Sequence, residues 1–290
     1  MPRLLFLILC FLCSHTLCGQ DDQWWIRNVN WDGFSHWSKY IKYNASNLGP
    51  NALPVPRLSN GRIDSLNSFS ISAIYHSMKG DQTGNLALYG NYVLVKDRIS
   101  VDAFLVPFEI FNVTHTLKEQ RKIYFYVYNQ NIARGDLHVN FNINLLNKIK
   151  DKVQLSLRTG YRYATSTQPA AARMTDAPGY YFDVSASRKF HKQSNWKYAA
   201  MFGMYVWQLP TGPQNDAVLF GAGIEYNKKR IQLQTNITGY LGYFNNGDRP
   251  IVYRLRASSN KKGINWFAQF QQGVHDFKYT TGEAGGRFVF

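Results

Sequence analysis

The residues Leu137, Val139, Phe141, Ile143 and Leu145 alternate without a break with His138, Asn140, Asn142 and Asn144. Successive side chains of a strand point to opposite faces, so this stretch has one wholly apolar face and one wholly polar face. It belongs in a sheet whose two sides meet different media. Later segments repeat the pattern as far as the final residues Arg287, Phe288, Val289 and Phe290.

Residues 1–19 carry one early charge, Arg3, then an apolar run from Leu4 to Leu12 and a less apolar end before Gln20. That is the make-up of a secretory signal peptide, too short to span a bilayer. Cleavage after Gly19 removes all three cysteines, Cys10, Cys13 and Cys18. The mature chain is therefore expected to hold no disulfide and no catalytic thiol. Lipidation of Cys18 is disfavoured by Leu17, which stands where a small residue is wanted.

Beyond residue 19 there is no run of about eighteen apolar residues, which excludes a membrane helix on length. Yet aromatic residues make up 16% of the chain and the mean hydropathy is only −0.33. Strands with one face in lipid and the other in water account for both. The formal charge of +15 is concentrated in short turns. In an exported chain this suits anionic lipid head groups or plain solvation, not nucleic acid.

Residues 20–65 differ from all that follows. They hold Trp24, Trp25, Trp31 and Trp37, then the stretch Gly49-Pro50-Asn51-Ala52-Leu53-Pro54-Val55-Pro56. Prolines so spaced favour an extended, polyproline-like connector. We expect an extension that leads into the sheet and folds back as a plug or as a periplasmic cap, with the tryptophans as its packing or docking group.

Residues 66–290 read as an antiparallel transmembrane β-barrel of about twelve strands. Tight basic turns at Lys96-Asp97-Arg98, Lys148 to Lys152, His191 to Asn195, Asn227 to Arg230 and Asn260 to Gly263 alternate with longer connections. The longer ones are Met78 to Asn85, Pro107 to Gln120, Thr165 to Gly179, Pro210 to Asp216, Tyr243 to Arg249 and His275 to Thr281. Short periplasmic turns and longer external loops are the rule for such barrels. Keeping that alternation requires Lys122 to Leu146 to be one strand, kinked around Ala133, Arg134 and Gly135.

The outward file, including Phe182, Phe202, Phe220, Leu255, Phe270, Phe288 and Phe290, has no Arg or Lys away from strand ends. Each such charge at mid-bilayer would cost roughly 2–4 kcal/mol. The opposite file holds Arg158, Arg162, Asp183, Glu225, Gln234, Asn236, Arg254 and Arg256. These are the candidate pore-lining residues. A soluble sandwich would show the same alternation with the apolar face turned inward. With a signal peptide, amphipathic strands and a terminal Phe, the chain resembles the bacterial outer-membrane β-barrel superfamily. The resemblance implies integral residence in the outer membrane. It also implies that Phe288 and Phe290 are the signal read by the barrel-assembly machinery.

Arg158 and Arg162 lie five strands from Arg254 and Arg256, so the two pairs are expected to face each other. Two readings follow. Either they form an electropositive constriction that favours anions, or Asp102, Asp183 and Glu225 pair with them and stiffen the interior. The functional expectation is a channel or facilitator for small polar solutes, with anions as the narrower class that the arginines would favour. The alternative is a non-conducting barrel that engages an envelope or secretion complex. Ser59-Asn60-Gly61-Arg62 matches the end of the His-x-Ser-Asn-Gly motif of outer-membrane phospholipases, but the base position is Arg57, which accepts no proton at neutral pH. No enzyme activity, cofactor or metal site is expected, because the histidines lack ligand spacing.

Overall fold

The computed structural model describes residues 32, 34–35, 45–121, 131–146, 153–167, 173, 175, 177–208, 214–259 and 263–290. The signal segment, Trp24, Trp25, Trp31, Trp37 and the turns at 148–152 and 260–262 lie outside the described residues.

The strands, in chain order, are β1 (Ser68–Met78), β2 (Asp81–Val95), β3 (Ile99–Val113), β4 (Ile132–Ala133) and β5 (Leu137–Asn144). They continue as β6 (Gln154–Tyr163), β7 (Gly179–Lys189), β8 (Trp196–Trp207), β9 (Asn215–Lys228) and β10 (Ile231–Gly242). The last are β11 (Ile251–Ser259), β12 (Gly263–His275) and β13 (Thr280–Val289). A short helix, α1 (His115–Arg121), follows β3. Every pairing is antiparallel, and β1 pairs with both β2 and β13, which closes the sheet. Without the two-residue β4 the closed ring has twelve strands, and closure leaves no free edge in the ring.

β4 and β5 are two pieces of one line. Ala133 stands opposite Glu109 and His138 opposite Phe104, so both pieces keep a single register against β3. The interruption falls at Arg134, Gly135 and Asp136, beside the bend expected around Ala133, Arg134 and Gly135; positions 122–130 of that expected strand lie outside the described residues.

Two expected loops are strand instead. β1 passes to β2 through Lys79 and Gly80 alone, and Gly80 has φ +87°. The run Asp81 to Asn85 looks like loop because it is polar, but the inside of this barrel is polar as well. β3 continues through Pro107 to Val113, because the pairing with β2 jumps there from Leu86–Phe108 to Leu88–Leu105. A bulge is a place where a strand tolerates a residue with no N–H to donate.

The two faces sort as the alternation requires. Phe202 is 66% exposed and Phe288 51%, whereas Asp183 and Ser185 are fully buried and Arg254 is 4% exposed. A soluble sandwich hides its apolar face; this one turns it outward as a continuous band. Trp196 and Tyr226 pack together near the short-turn end, at 4.6 Å between ring centroids, the position of an interfacial aromatic girdle. Phe288 pairs across to Phe69 and Ile264, and the N–H of Phe290 donates to Asn67 O at 3.0 Å.

Candidate functional site: the lumen and the segment threaded through it

Residues 45–65 run down the inside of the barrel from the loop end to the short-turn end. At the loop end Ser46 lies against Gly247, where any Cβ would come within 2.2 Å of it. The Asn51 amide donates to Glu109 on β3, and Arg162 on β6 donates to Ala52 O. One step lower, Tyr240 Oη donates to Leu53 O at 3.3 Å. At mid-height Arg254 Nη2 donates to Val55 O at 2.7 Å, and from across the lumen Arg158 Nη2 donates to Arg57 O at 2.8 Å. Lower still, Ser59 meets Ser156 at 3.4 Å, and Asn60 and Arg62 reach Glu225 at 3.0 and 2.9 Å. Asp64 then accepts from Arg287 at 2.8 Å before the chain turns up into β1.

The sequence explains this path. The stretch expected to be extended from Gly49 to Pro56 begins instead as a turn, after the 3-10 helix Ala45–Asn47, with Ala52 N donating to Gly49 O at 3.2 Å; from Pro54 to Pro56 the prolines hold the chain out of regular structure, and its carbonyls there are free for donors on the wall. The wall supplies those donors as arginines. Apolar side chains of the segment, Leu48, Ala52, Leu53, Val55 and Leu58, are buried in one cluster with Met201, Tyr205, Trp207, Leu219, Tyr240 and Val252. Burying a Leu or Val side chain contributes about 1.5–3 kcal/mol each, so the segment is held by oil as well as by hydrogen bonds. The match to the phospholipase motif resolves into a turn. Asn60 and Gly61 have φ +57° and +65°, Arg62 N donates back to Ser59 O, and Arg57 is paired with Glu283 at 2.7 Å.

The candidate residues divide by partner. Arg158 Nε holds Asp183 at 2.7 Å. Arg162 adds Ala177 O at 2.9 Å and Asp136 at 3.8 Å. Arg254 donates to Gln271 at 2.7 Å, Thr238 at 2.6 Å and the segment's carbonyls. Arg256 reaches Gln269 at 3.5 Å and stacks over Phe267 at 4.2 Å. Among the described residues no carboxylate lies in salt-bridge range of Arg254 or Arg256. Glu225 is taken by the segment's Arg62, and Asp102 by Asn140 and Asn142 at 2.7 and 2.6 Å. Of the expected wall pairings only Arg158–Asp183 forms. Gln234 is half-buried between Arg256 and Glu225 on its neighbours, and Asn236 is buried beside Arg254.

The loop end has its own charged group, which the sequence analysis misses. Arg173, from the β6–β7 loop, donates to Glu109 at 2.7 Å, Asp81 at 2.9 Å and Thr83 at 2.6 Å. Asp81 also accepts from Arg121 of α1 at 3.2 Å and from Tyr279 at 2.7 Å. Burial alone would lower the pKa of Arg173, but Glu109 and Asp81 outweigh it and hold it above its ordinary value. Burial, then Asp81, pushes Tyr279 up, so its hydroxyl stays a donor. No sequence spacing marks this group, because its members come from the strands β2 and β3, the helix α1 and the β6–β7 and β12–β13 loops. The inward apolar residues Tyr205, Trp207, Leu219, Tyr240 and Val252 do carry a signal: each shares strand parity with a polar inward residue. Among the described residues no His, Cys, Asp and Glu cluster is placed to hold a metal ion.

No family model and no curated protein matches the sequence. Solved structures do match the fold. An outer-membrane channel from Pseudomonas putida F1 gives a TM-score of 0.53 at 12% identity, covering 82% of this chain and 100% of its own. The KdgM porin gives 0.50 at 9% identity, covering 76% and 99%, and the NanC porin 0.50 at 11%, covering 77% and 100%. The fold is that of the bacterial outer-membrane β-barrels.

Proposed function

We propose that the protein is a non-catalytic channel of the bacterial outer membrane for small polar, anionic solutes, closed at rest by residues 45–65. The observation that carries this is the bonding of Arg254. Its guanidinium is buried on the lumen wall and satisfied by neutral acceptors, two of them carbonyls of the threaded segment. With Arg158 opposite and Arg256 beside it, withdrawal of the segment would leave donors that a carboxylate or phosphate can occupy. The porin-like fold of the neighbours supports the reading.

The test is single-channel recording on the purified protein, with and without residues 20–64. The shortened form is expected to conduct, with a preference for chloride that falls when Arg158, Arg254 and Arg256 are replaced together by Gln. Silent bilayers for both forms would refute conduction. They would favour the second reading, a non-conducting barrel that engages an envelope component, which the filled lumen supports. Under either reading Phe288 and Phe290 are the residues offered to the assembly machinery.

A further inference from the structure

The β10–β11 loop, at the loop end of the barrel, holds a carboxylate that none of its neighbours neutralises. Asp248 is 0% exposed, and among the described residues no Lys, Arg or His lies in salt-bridge range of it. Its Oδ2 accepts from Phe244 N at 2.9 Å and from Asn215 Nδ2 at 3.2 Å. Its Oδ1 is buried and bonds to nothing. The adjacent cation, Arg249, turns its Nε instead to Gly242 O at 3.0 Å.

Two further oxygens share this condition. Asn215, at the start of β9 and 1% exposed, spends its Nδ2 on Asp248 while its own Oδ1 is buried without a donor. Asn246, two residues before Asp248, has a buried Oδ1 in the same state. The sheet aims these groups at one place. Asn215 shares strand parity with Ala217 and Leu219, both fully buried, so its side chain points into the mouth of the lumen. Asp248 lies over Gly242, where a Cβ would come within 2.2 Å of its Oδ2, and Gly242 pairs with Ala217.

An unpaired buried carboxylate is among the costliest groups a fold can hold. All three unpartnered atoms are acceptors, so what completes them is a cation or a donor. The oxygens of one carboxylate and two amides are ligands that a hard divalent cation takes. With a single carboxylate, the set is not a cluster of the acidic kind.

We propose that Asp248, Asn215 and Asn246 form a Ca2+ site at the outer mouth of the barrel. One formal charge places it with weak extracellular sites, at a Kd of about 10⁻⁴–10⁻³ M. Mg2+, which demands a tighter octahedron and gives up water reluctantly, is disfavoured. A bound ion ties the start of β9 to the loop whose Gly247 seats Ser46 of the threaded segment. A mouth cavity of about 30 Å³, lined by Ser46, Leu53, Gly247 and Pro250, borders the same loop and brings water to it. The site does not require conduction, so it stands or falls apart from the channel reading.

The test uses the full chain in a non-ionic detergent, stripped with EDTA and titrated with CaCl2. By circular dichroism the melting temperature is expected to climb once Ca2+ passes about 10⁻⁴–10⁻³ M, with no climb in Mg2+ at the same concentrations. Asp248→Asn keeps the shape and loses the charge, and is expected to melt at one temperature in Ca2+ and in EDTA. Asn246→Ala should need more Ca2+ for the same rise, whereas Asp216→Asn, on the opposite face of β9, should keep the full rise. Tb3+ gives a second readout, because Trp207 pairs directly with Asn215. Excitation of Trp is expected to produce Tb3+ emission that Ca2+ displaces and that Asp248→Asn loses. Wild-type melting that is identical in Ca2+ and EDTA, as when water alone completes the site, would overturn the proposal. So would a rise and an emission that survive Asp248→Asn. If that variant does not fold, Asn246→Ala decides, and an unmoved Ca2+ requirement counts against the site.

Discussion

Replacing Leu53 by Ala should loosen the closed state by an amount the structure sets. Leu53 is 7% exposed and belongs to the cluster with Tyr205, Trp207, Leu219, Tyr240 and Val252. Truncating a buried Leu to Ala costs about 2–5 kcal/mol, least where the site can refill. Leu53 borders the mouth cavity of about 30 Å³, so water can enter and the low end, about 2 kcal/mol, applies. Once the segment is displaced residue 53 meets water, so the loss falls on the docked state alone. With 1.4 kcal/mol per factor of ten, the displaced-to-docked ratio rises about 30-fold. Single-channel recording reads this as the fraction of time spent conducting. Phe202→Ala, on the lipid face and 66% exposed, is the control and should leave that fraction alone. An unchanged fraction in Leu53→Ala would refute the idea that apolar docking of the segment closes the lumen.

Arg173→Met removes the only cation in salt-bridge range of Glu109 among the described residues and one of the two on Asp81, which keeps Arg121; both carboxylates are fully buried, and breaking a buried pair in this way costs about 3–5 kcal/mol. Circular dichroism in detergent should show a lower melting temperature, partly restored by adding Glu109→Gln. Gly61→Ala forces a side chain into φ +65° with its Cβ 2.6 Å from Gln154 O. A cost of about 1–3 kcal/mol is expected, seen as faster limited proteolysis at the Ser59–Arg62 turn. Burial raises the pKa of Asp136, opposed in part by Arg162. The folded state therefore binds this proton more tightly than the unfolded chain does. The site's stabilising contribution is complete below the unfolded value of about 4 and is lost as pH rises through the raised one. Asp136→Asn should flatten that part of the stability–pH curve in denaturant titrations.

The barrel was legible because lipid and water impose a period of two that no other packing needs here. The stretch Leu137 to Leu145 shows it residue by residue, and the excess length of the expected strand put a bend around Ala133, Arg134 and Gly135, one residue from the interruption at Arg134 to Asp136. Strand ends were not legible where the rule for loops and the rule for a wet lumen coincide. Asp81, Thr83 and Asn85 are polar because they face inward, and Pro107 sits in a bulge that only the partner strand reveals. The ion pairs were unreadable for a different reason. Glu225 is matched by Arg62 and Glu283 by Arg57, and both arginines lie on a segment whose course depends on the finished barrel. The prolines indicate an extended chain but not its destination. Leu53 and Val55 within that stretch required an apolar surface, and the inward parity of Leu219 and Val252 was the available pointer to it.

The choice of acceptors for the wall arginines bears on whether such a lumen can open. A guanidinium locked to a buried carboxylate leaves behind an unpaired charge when it is released, at a cost of several kcal/mol. Arg158 keeps its own partner, Asp183, on the adjacent strand, whether or not the segment is present. Arg254 keeps Gln271 and Thr238, and gives up only carbonyls when the segment departs. Water can replace a carbonyl at about 1 kcal/mol per hydrogen bond. Wall and segment are thus joined by bonds that exchange readily, while the two carboxylates that do hold segment arginines, Glu225 and Glu283, would be left to water or to the cation of an entering salt. Release therefore costs both apolar contact and two ion pairs, Arg57–Glu283 and Arg62–Glu225, each of which leaves a buried carboxylate behind, so Leu53, Val55 and Leu58 share with these pairs the control of how often the barrel opens.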